Sequence, residues 1–159
     1  MRDDIAAVAN LTLEQYKDVY LTFLAAFNRQ DLAAAFAVLA PECEFRPIKE
    51  LLGERVLIGP DEVRRFFDEA FDVLPDWHVE SPVRILQATD NTFVTLDRGR
   101  GRGRGSGAQA VFDFDTVAEL RDLVVVRVQQ YSTWEEGLGA AGLDPSIAAD
   151  VRKSARSGG

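Results

Sequence analysis

The chain has 159 residues, the length of a single domain, and 47% apolar against 28% charged residues, the composition of a folded globular chain rather than a disordered or membrane-embedded one. Acids outnumber bases 26 to 18, and the net charge of -8 repels polyanions, which argues against nucleic acid as a partner. Cys43 and His78 are the sole residues of their types, which excludes a disulfide framework and a cysteine and histidine zinc site within one chain.

The longest apolar run, residues 32–40, is about half of a membrane span, and Met1 is followed by Arg2, Asp3 and Asp4 with no apolar signal region behind them. These features predict a cytoplasmic protein with no membrane partner. Thr12 followed by Gln15 is a capping-box signature, and Leu13, Tyr16, Tyr20, Phe23 and Phe27 then recur at helical spacing. Asp31 is placed to cap a second short helix over residues 32–39, stopped by Pro41. Residues 43–46 read as a short strand ending at Pro47, and residues 49–58 as an irregular flap or edge segment. Gly59, Pro60, Asp61 and Glu62 start a third helix, whose apolar stripe is Val63, Phe66, Phe67, Ala70, Phe71 and Leu74.

From Trp77 the period changes to two, with strands predicted over residues 77–86, 92–104, 109–121 and 124–134. Asp90 with Asn91, and Gly105 with Ser106, supply turns. The result is an antiparallel meander after the helices, an α+β layout. A short closing helix is predicted over residues 134–143, and residues 154–159 should fray. The whole chain, residues 1–159, reads as one domain with a core of about residues 11–143 and flexible termini.

Several strings together resemble the SnoaL-like branch of the nuclear transport factor 2-like superfamily: AFNRQDLAA, PECEFRP, GPDEVRRFF, RGRGRGSG and the closing AAGL. The resemblance implies a cone-shaped α+β barrel, in which three N-terminal helices pack on a curved antiparallel sheet around an apolar pocket, with dimerisation through the sheet's outer face. Members include cofactor-free isomerases, cyclases, dehydratases and epoxide hydrolases, and also proteins that only bind or associate, so the fold leaves function open.

A turn at Asp122 and Leu123 that pairs Arg121 with Val124 sets Glu119 opposite Val126, Val117 opposite Val128, Asp115 opposite Gln130 and Asp113 opposite Ser132. The other face then carries Phe114, Thr116, Ala118, Leu120, Val125, Arg127, Gln129 and Tyr131, apolar enough for a dimer interface. Parity leaves open which face lines the cone. Alignment with the ketosteroid isomerases places Asp115 at their neutral oxyanion-holding aspartic acid, which puts Asp113, Asp115, Val117, Val128 and Gln130 inside. A carboxyl facing an apolar cavity has a raised pKa and can act as acid or base near neutrality, which makes Asp113, Asp115 and Asp97 the catalytic candidates. The competing reading has these aspartates solvated or paired with neighbouring arginines.

Other family sites are incomplete. The isomerase tyrosine falls at Phe23 and its base near Pro47, beside Arg46; the limonene epoxide hydrolase triad falls at Asp97, Gly99 and Gln130. His78 alternates with Glu80 and Arg84 as a strand residue and is only a reserve catalytic candidate. Tyr20, Phe23, Phe27, Phe67 and Trp77 are first of all core, and they are also the expected pocket wall with Val117, Val128 and Gln130. Arg98, Arg100, Arg102 and Arg104 alternate with glycines, so on a strand all four face one side while the glycines admit a close neighbour on the other. No P-loop lysine motif or nucleophile elbow is present. The resemblance therefore implies for the chain a small hydrophobic or aromatic ligand, no cofactor or metal, and a homodimer through the outer sheet face. Its function is either cofactor-free isomerase or cyclase chemistry or, alternatively, non-catalytic ligand binding or dimerisation.

Overall fold

The computed structural model describes residues 11–80, 82, 84–103, 105 and 107–157, with backbone only at 51, 52 and 155–157. The expectations for Arg2, Asp3, Asp4, Arg104 and Ser106 lie outside the described residues.

Helix α1, Leu13–Asn28, starts as its sequence requires: Gln15 N–H donates to Thr12 Oγ1 at 3.1 Å and Thr12 N–H to Gln15 Oε1 at 2.9 Å. Its far end pins the first strand of the meander, because the Asn28 amide donates to Val79 O at 2.7 Å and accepts from Val79 N at 2.9 Å. Helix α2, Leu32–Ala35, is capped by Asp31 and continues as a 3-10 turn over Phe36–Val38. Strand β1, Leu39–Arg46, then begins earlier than residue 43 and passes through Pro41. Proline lacks the N–H a ladder needs, and the pairing with β7 slips between Leu39 and Glu44, where Pro41 lies. The segment expected to be irregular holds a short helix α3, Lys49–Leu52, and a two-residue strand β2, Leu57–Ile58. Helix α4, Gly59–Val73, buries Val63, Phe66, Phe67 and Phe71.

The strand predicted over residues 77–86 is two pieces, β3, His78–Val79, and β4, Arg84–Gln87, with Pro82 in the interval between them. Both pair antiparallel with β5, Thr92–Arg102, in different registers. The sheet continues through β6, Gln109–Arg121, and β7, Val124–Tyr131, to β1 and β2 in the order β2-β1-β7-β6-β5-β3, with β4 also on β5. It is curved and unclosed, and antiparallel except between β1 and β7, which run parallel. Helix α5, Trp134–Ala140, begins where the last strand was expected to end. Helix α6, Ile147–Ser157, has no counterpart in the sequence reading and runs through the residues from Ser154 at which fraying was expected; residues 158 and 159 lie outside the described residues.

Two apolar clusters lie on opposite faces of the sheet. The larger, under α1, α2 and α4, is the inside of the cone. The smaller joins Val94 and Leu96 of β5 to Trp134 and Leu138 of α5 and to Ala148 and Val151 of α6. The chain's own C-terminal helices thus occupy part of the outer face that was expected to dimerise.

Candidate active site

The hairpin between β6 and β7 decides which residues enter the cone. Asp122 and Leu123 both have positive φ, 52° and 67°, the left-handed conformations of a two-residue hairpin turn, and Arg121 pairs with Val124 as expected. One extra residue, Val126, then enters β7: Leu120 faces Val125, but Glu119 faces Arg127. This bulge shifts the register by one and reverses the facing of β7 relative to β6. Ala118 therefore stands opposite Val128 and Thr116 opposite Gln130.

The consequence corrects the sequence reading. The cone is lined from β6 by Phe114, Thr116 and Ala118, residues assigned above to the outside. Val128 and Gln130 line it as expected, whereas Asp113, Asp115 and Val117 are on the outer face. Asp113 is half-buried and paired with Arg98 at 2.8 Å, so it is a charge-neutralised surface group rather than a cavity acid. Val117 packs against the outer cluster. Asp115 is fully buried there, beneath α5. His78 is exposed on β3, with Nδ1 3.1 Å from Asp76 O.

Asp97 alone of the three aspartates belongs to the cone. Strand β5 turns Phe93, Thr95 and Asp97 inward and Val94, Leu96 and Arg98 outward, and Asp97 is fully buried. Tyr20 of α1 donates its phenol proton to Asp97 Oδ1, and Thr116 of β6 donates to Oδ2 at 3.2 Å. A turn earlier on α1, Tyr16 shares a hydrogen bond of 3.2 Å with Thr95. From the outer side, the Trp134 indole donates to the backbone oxygen of Asp97 at 3.1 Å. Burial pushes the Asp97 carboxyl up to about 7, against the two hydroxyl donors, which favour the charged form. Burial and the neighbouring Asp97 charge raise the Tyr20 phenol well above its usual range. The dyad thus holds one mobile proton near neutrality on the carboxyl and a phenol that stays protonated.

Of these groups Tyr16, Tyr20 and Thr116 line a cavity of about 70 Å³. Its lining is apolar apart from Tyr16, Tyr20, Thr116, Gln130 and the Trp77 indole, and it includes Phe23, Phe27 and Phe67. At roughly 10–15 Å³ per water-sized sphere, the space is that of a few waters or a very small molecule, well below the roughly 300–1,000 Å³ of a site for a drug-sized ligand. Asp97 is reached from it through Tyr20 and Thr116. Beyond the dyad, the alternating glycines do what their period implies. A Cβ at Gly99 would come within 2.7 Å of Phe112 Cζ and 3.1 Å of Trp77 Nε1, so its absence lets both rings seat on the strand. Arg100 on the opposite side pairs with Glu80.

The sequence reading missed Thr95, Thr116 and Tyr16 as partners. Two hydroxyls paired across β5 and β6 in an otherwise apolar face were the available signal, hidden by the inverted facing of β6. Among the described residues no cluster of three or more histidines, cysteines or acids is placed to hold a metal, and no helix is long and apolar enough to cross a membrane.

Known proteins now add a family. Among curated proteins none matches. Several solved structures share the fold. One is a hypothetical protein with a ketosteroid isomerase-like fold from Catenulispora acidiphila DSM 44928, in complex with trimethylamine, at TM-score 0.65 and 12% identity, covering 80% of this chain and 95% of that one. A putative polyketide cyclase from Xanthomonas campestris pv. campestris has TM-score 0.66 and 17% identity, over 80% of this chain and 97% of the other. TerC, crystallised with polyporic acid, has TM-score 0.66 and 17% identity, over 75% of this chain and 92% of its own. At such identities the likeness concerns the fold. The model of the SnoaL-like domain matches residues 20–128, well over half of the 159 residues, and the chain belongs to that family, within the nuclear transport factor 2-like superfamily.

Proposed function

We propose that this protein binds a small apolar or aromatic molecule in the cone and performs cofactor-free proton transfer on it, with Asp97 as the acid/base and Tyr20 as the hydrogen-bonding group that meets the ligand. The observation that carries this reading is the Tyr20 to Asp97 hydrogen bond at the wall of an otherwise apolar cavity. A carboxyl poised near neutral pH suits a general acid or base; the Tyr20 phenol donates its proton to Asp97, so the phenol donates to a ligand oxygen only when Asp97 is protonated and donates in turn to the phenol oxygen. The SnoaL-like family membership and the cyclase among the fold neighbours support ligand or cyclase chemistry in general terms. The cavity of about 70 Å³ requires the aromatic wall to part even for a single ring, since a benzene-binding cavity is roughly 150 Å³.

A second reading, binding without turnover, is favoured by one observation: Asp97 stands behind Tyr20 and Thr116 rather than on the cavity surface. The two readings separate in one experiment. Thermal unfolding is measured against single-ring phenols, quinones and small amines, where a ligand at about 100 times its dissociation constant stabilises by about 2.7 kcal/mol. Turnover of any stabilising compound is then followed in wild type and Asp97→Asn. Loss of turnover by 100-fold or more with binding retained supports catalysis. Turnover that survives Asp97→Asn removes Asp97 from the role, and binding with no turnover in the wild type leaves the second reading.

A further inference from the structure

Asp115 is the buried carboxyl that the cone does not use. A Cβ at Gly137 would overlap its carboxyl carbon and both oxygens, so α5 lies directly on the carboxyl at a residue without a side chain. Neither oxygen has a hydrogen-bond partner among the described residues. Around it is the apolar cluster of Val94, Leu96, Trp134 and Leu138, closed by Ala148 and Val151 of α6. An anion in that place lacks both water and a partner, so the docked helix favours the neutral acid. Burial first, and the charge of Asp97 second, push this carboxyl up to about 8.

The charged and titratable groups on the packed elements do not relieve it. On β5 these are Asp97, on the other face, and Arg98, engaged with Asp113 of β6. On β7 they are Tyr131, whose phenol pKa is raised by burial and then by the Asp115 charge, and Arg127, which pairs with Glu44 at 3.6 Å. On α5 they are Glu135 and Glu136, and on α6 the exposed Asp150 and Lys153 and Arg152, which donates to Glu135 at 2.7 Å. The helix pair also touches the cone: Trp134, which carries the guanidinium of Arg152 at 4.8 Å and of Arg98 at 5.9 Å over its ring, is the residue whose indole holds the carbonyl of Asp97.

We infer that α5 and α6 form a proton-controlled latch on the outer face of the sheet: neutral Asp115 lets α5 lie flat at Gly137, and transfer of its proton to water releases α5, and with it Trp134, from the backbone of Asp97. The latch does not depend on what the cone binds. Its sign follows from linkage. A solvated aspartate titrates near 3.9, the docked one at about 8. The opening equilibrium of α5 and α6 therefore rises about tenfold per pH unit between about pH 4 and about pH 8, and levels off above.

Amide hydrogen exchange on the full chain between pH 5 and pH 8 tests this. Intrinsic exchange itself rises about tenfold per pH unit, so amides of α5 and α6 should exchange about a hundredfold faster per unit, and ahead of the β5 and β6 amides that wait for deeper unfolding. In Asp115→Asn the slope should fall to tenfold. Asp115→Leu, also non-ionisable, serves if the asparagine variant does not fold, and the wild-type slope decides if neither does. The latch is overturned by a tenfold slope in the wild type, by a hundredfold slope that persists in either variant, or by α5 and α6 exchanging only in step with β5 and β6.

Discussion

Asp97 and Asp115 sit on neighbouring strands, both fully buried, on opposite faces of the same sheet. Asp97 meets two hydroxyl donors and lies behind the wall of a cavity; Asp115 meets a glycine and apolar side chains. The hydroxyls stabilise the charged form of the first and hold it near neutrality. Among the described residues nothing comparable acts on the second, whose pKa is higher still. A buried carboxyl is thus not by itself a site: the partners decide whether burial yields a poised proton or a neutral filler under a helix.

The strongest way to break the comparison is to remove what closes the outer face. Trp134→Ala deletes a fully buried ring and its bond to Asp97, and should cost about 3–5 kcal/mol in denaturant unfolding. A loss below about 1 kcal/mol would mean that α5 and α6 are not docked as described. Next in size is Gly137→Ala, which should cost about 1–3 kcal/mol because the methyl and the Asp115 carboxyl compete for one space. In an Asp115→Ala background that cost should largely vanish, and a double-mutant cycle with no coupling would refute the contact.

The inner counterpart is Tyr20→Phe. Losing a hydrogen bond to a charged acceptor should cost about 1.5–3 kcal/mol above pH 7 and shift the Asp97 titration upward, since a donor that lowered it is gone. The pH dependence of the whole protein has a definite sign. Both carboxyls are raised in the folded state, so their contribution to stability is greatest below about pH 4 and is lost as pH rises to about 7 and about 8, by at most about 1.4 kcal/mol per unit for each group. Urea midpoints measured from pH 4 to 8 should fall, and fall less steeply in Asp115→Leu. The smallest effect is expected at the half-exposed pair of Arg100 and Glu80, where Arg100→Ala should change stability by about 1 kcal/mol or less.

The helices and long strands were legible because their signals are local. The Thr12 and Gln15 box, the aromatic spacing on α1 and the Pro60 start of α4 each act within a few residues. The burial of Tyr20, Phe27 and Phe67 followed from the same periodicity, whereas a pocket among them was only what the resemblance implied. What failed depends on one residue. Val126 is an ordinary apolar strand residue, and nothing in its type marks it as the extra member of a bulge, yet it reverses the facing of Asp113 and Asp115 against Val128 and Gln130. The parallel pairing of β1 with β7 is a contact between distant segments, with no local signature. Helix α6 was missed because its large apolar residues, Ile147 and Val151, are few, and its role appears only against Val94 and Leu96 on a strand far earlier in the chain.

The most direct measurement is a carboxyl carbon NMR titration of the aspartates in the ligand-free protein, with Asp97 assigned by its loss in Asp97→Asn. The account predicts that Asp97 titrates near pH 7 and moves upward in Tyr20→Phe. Titration near 3.9, or no movement when the phenol is removed, would place Asp97 in solvent or away from Tyr20 and contradict the acid/base reading of the cone.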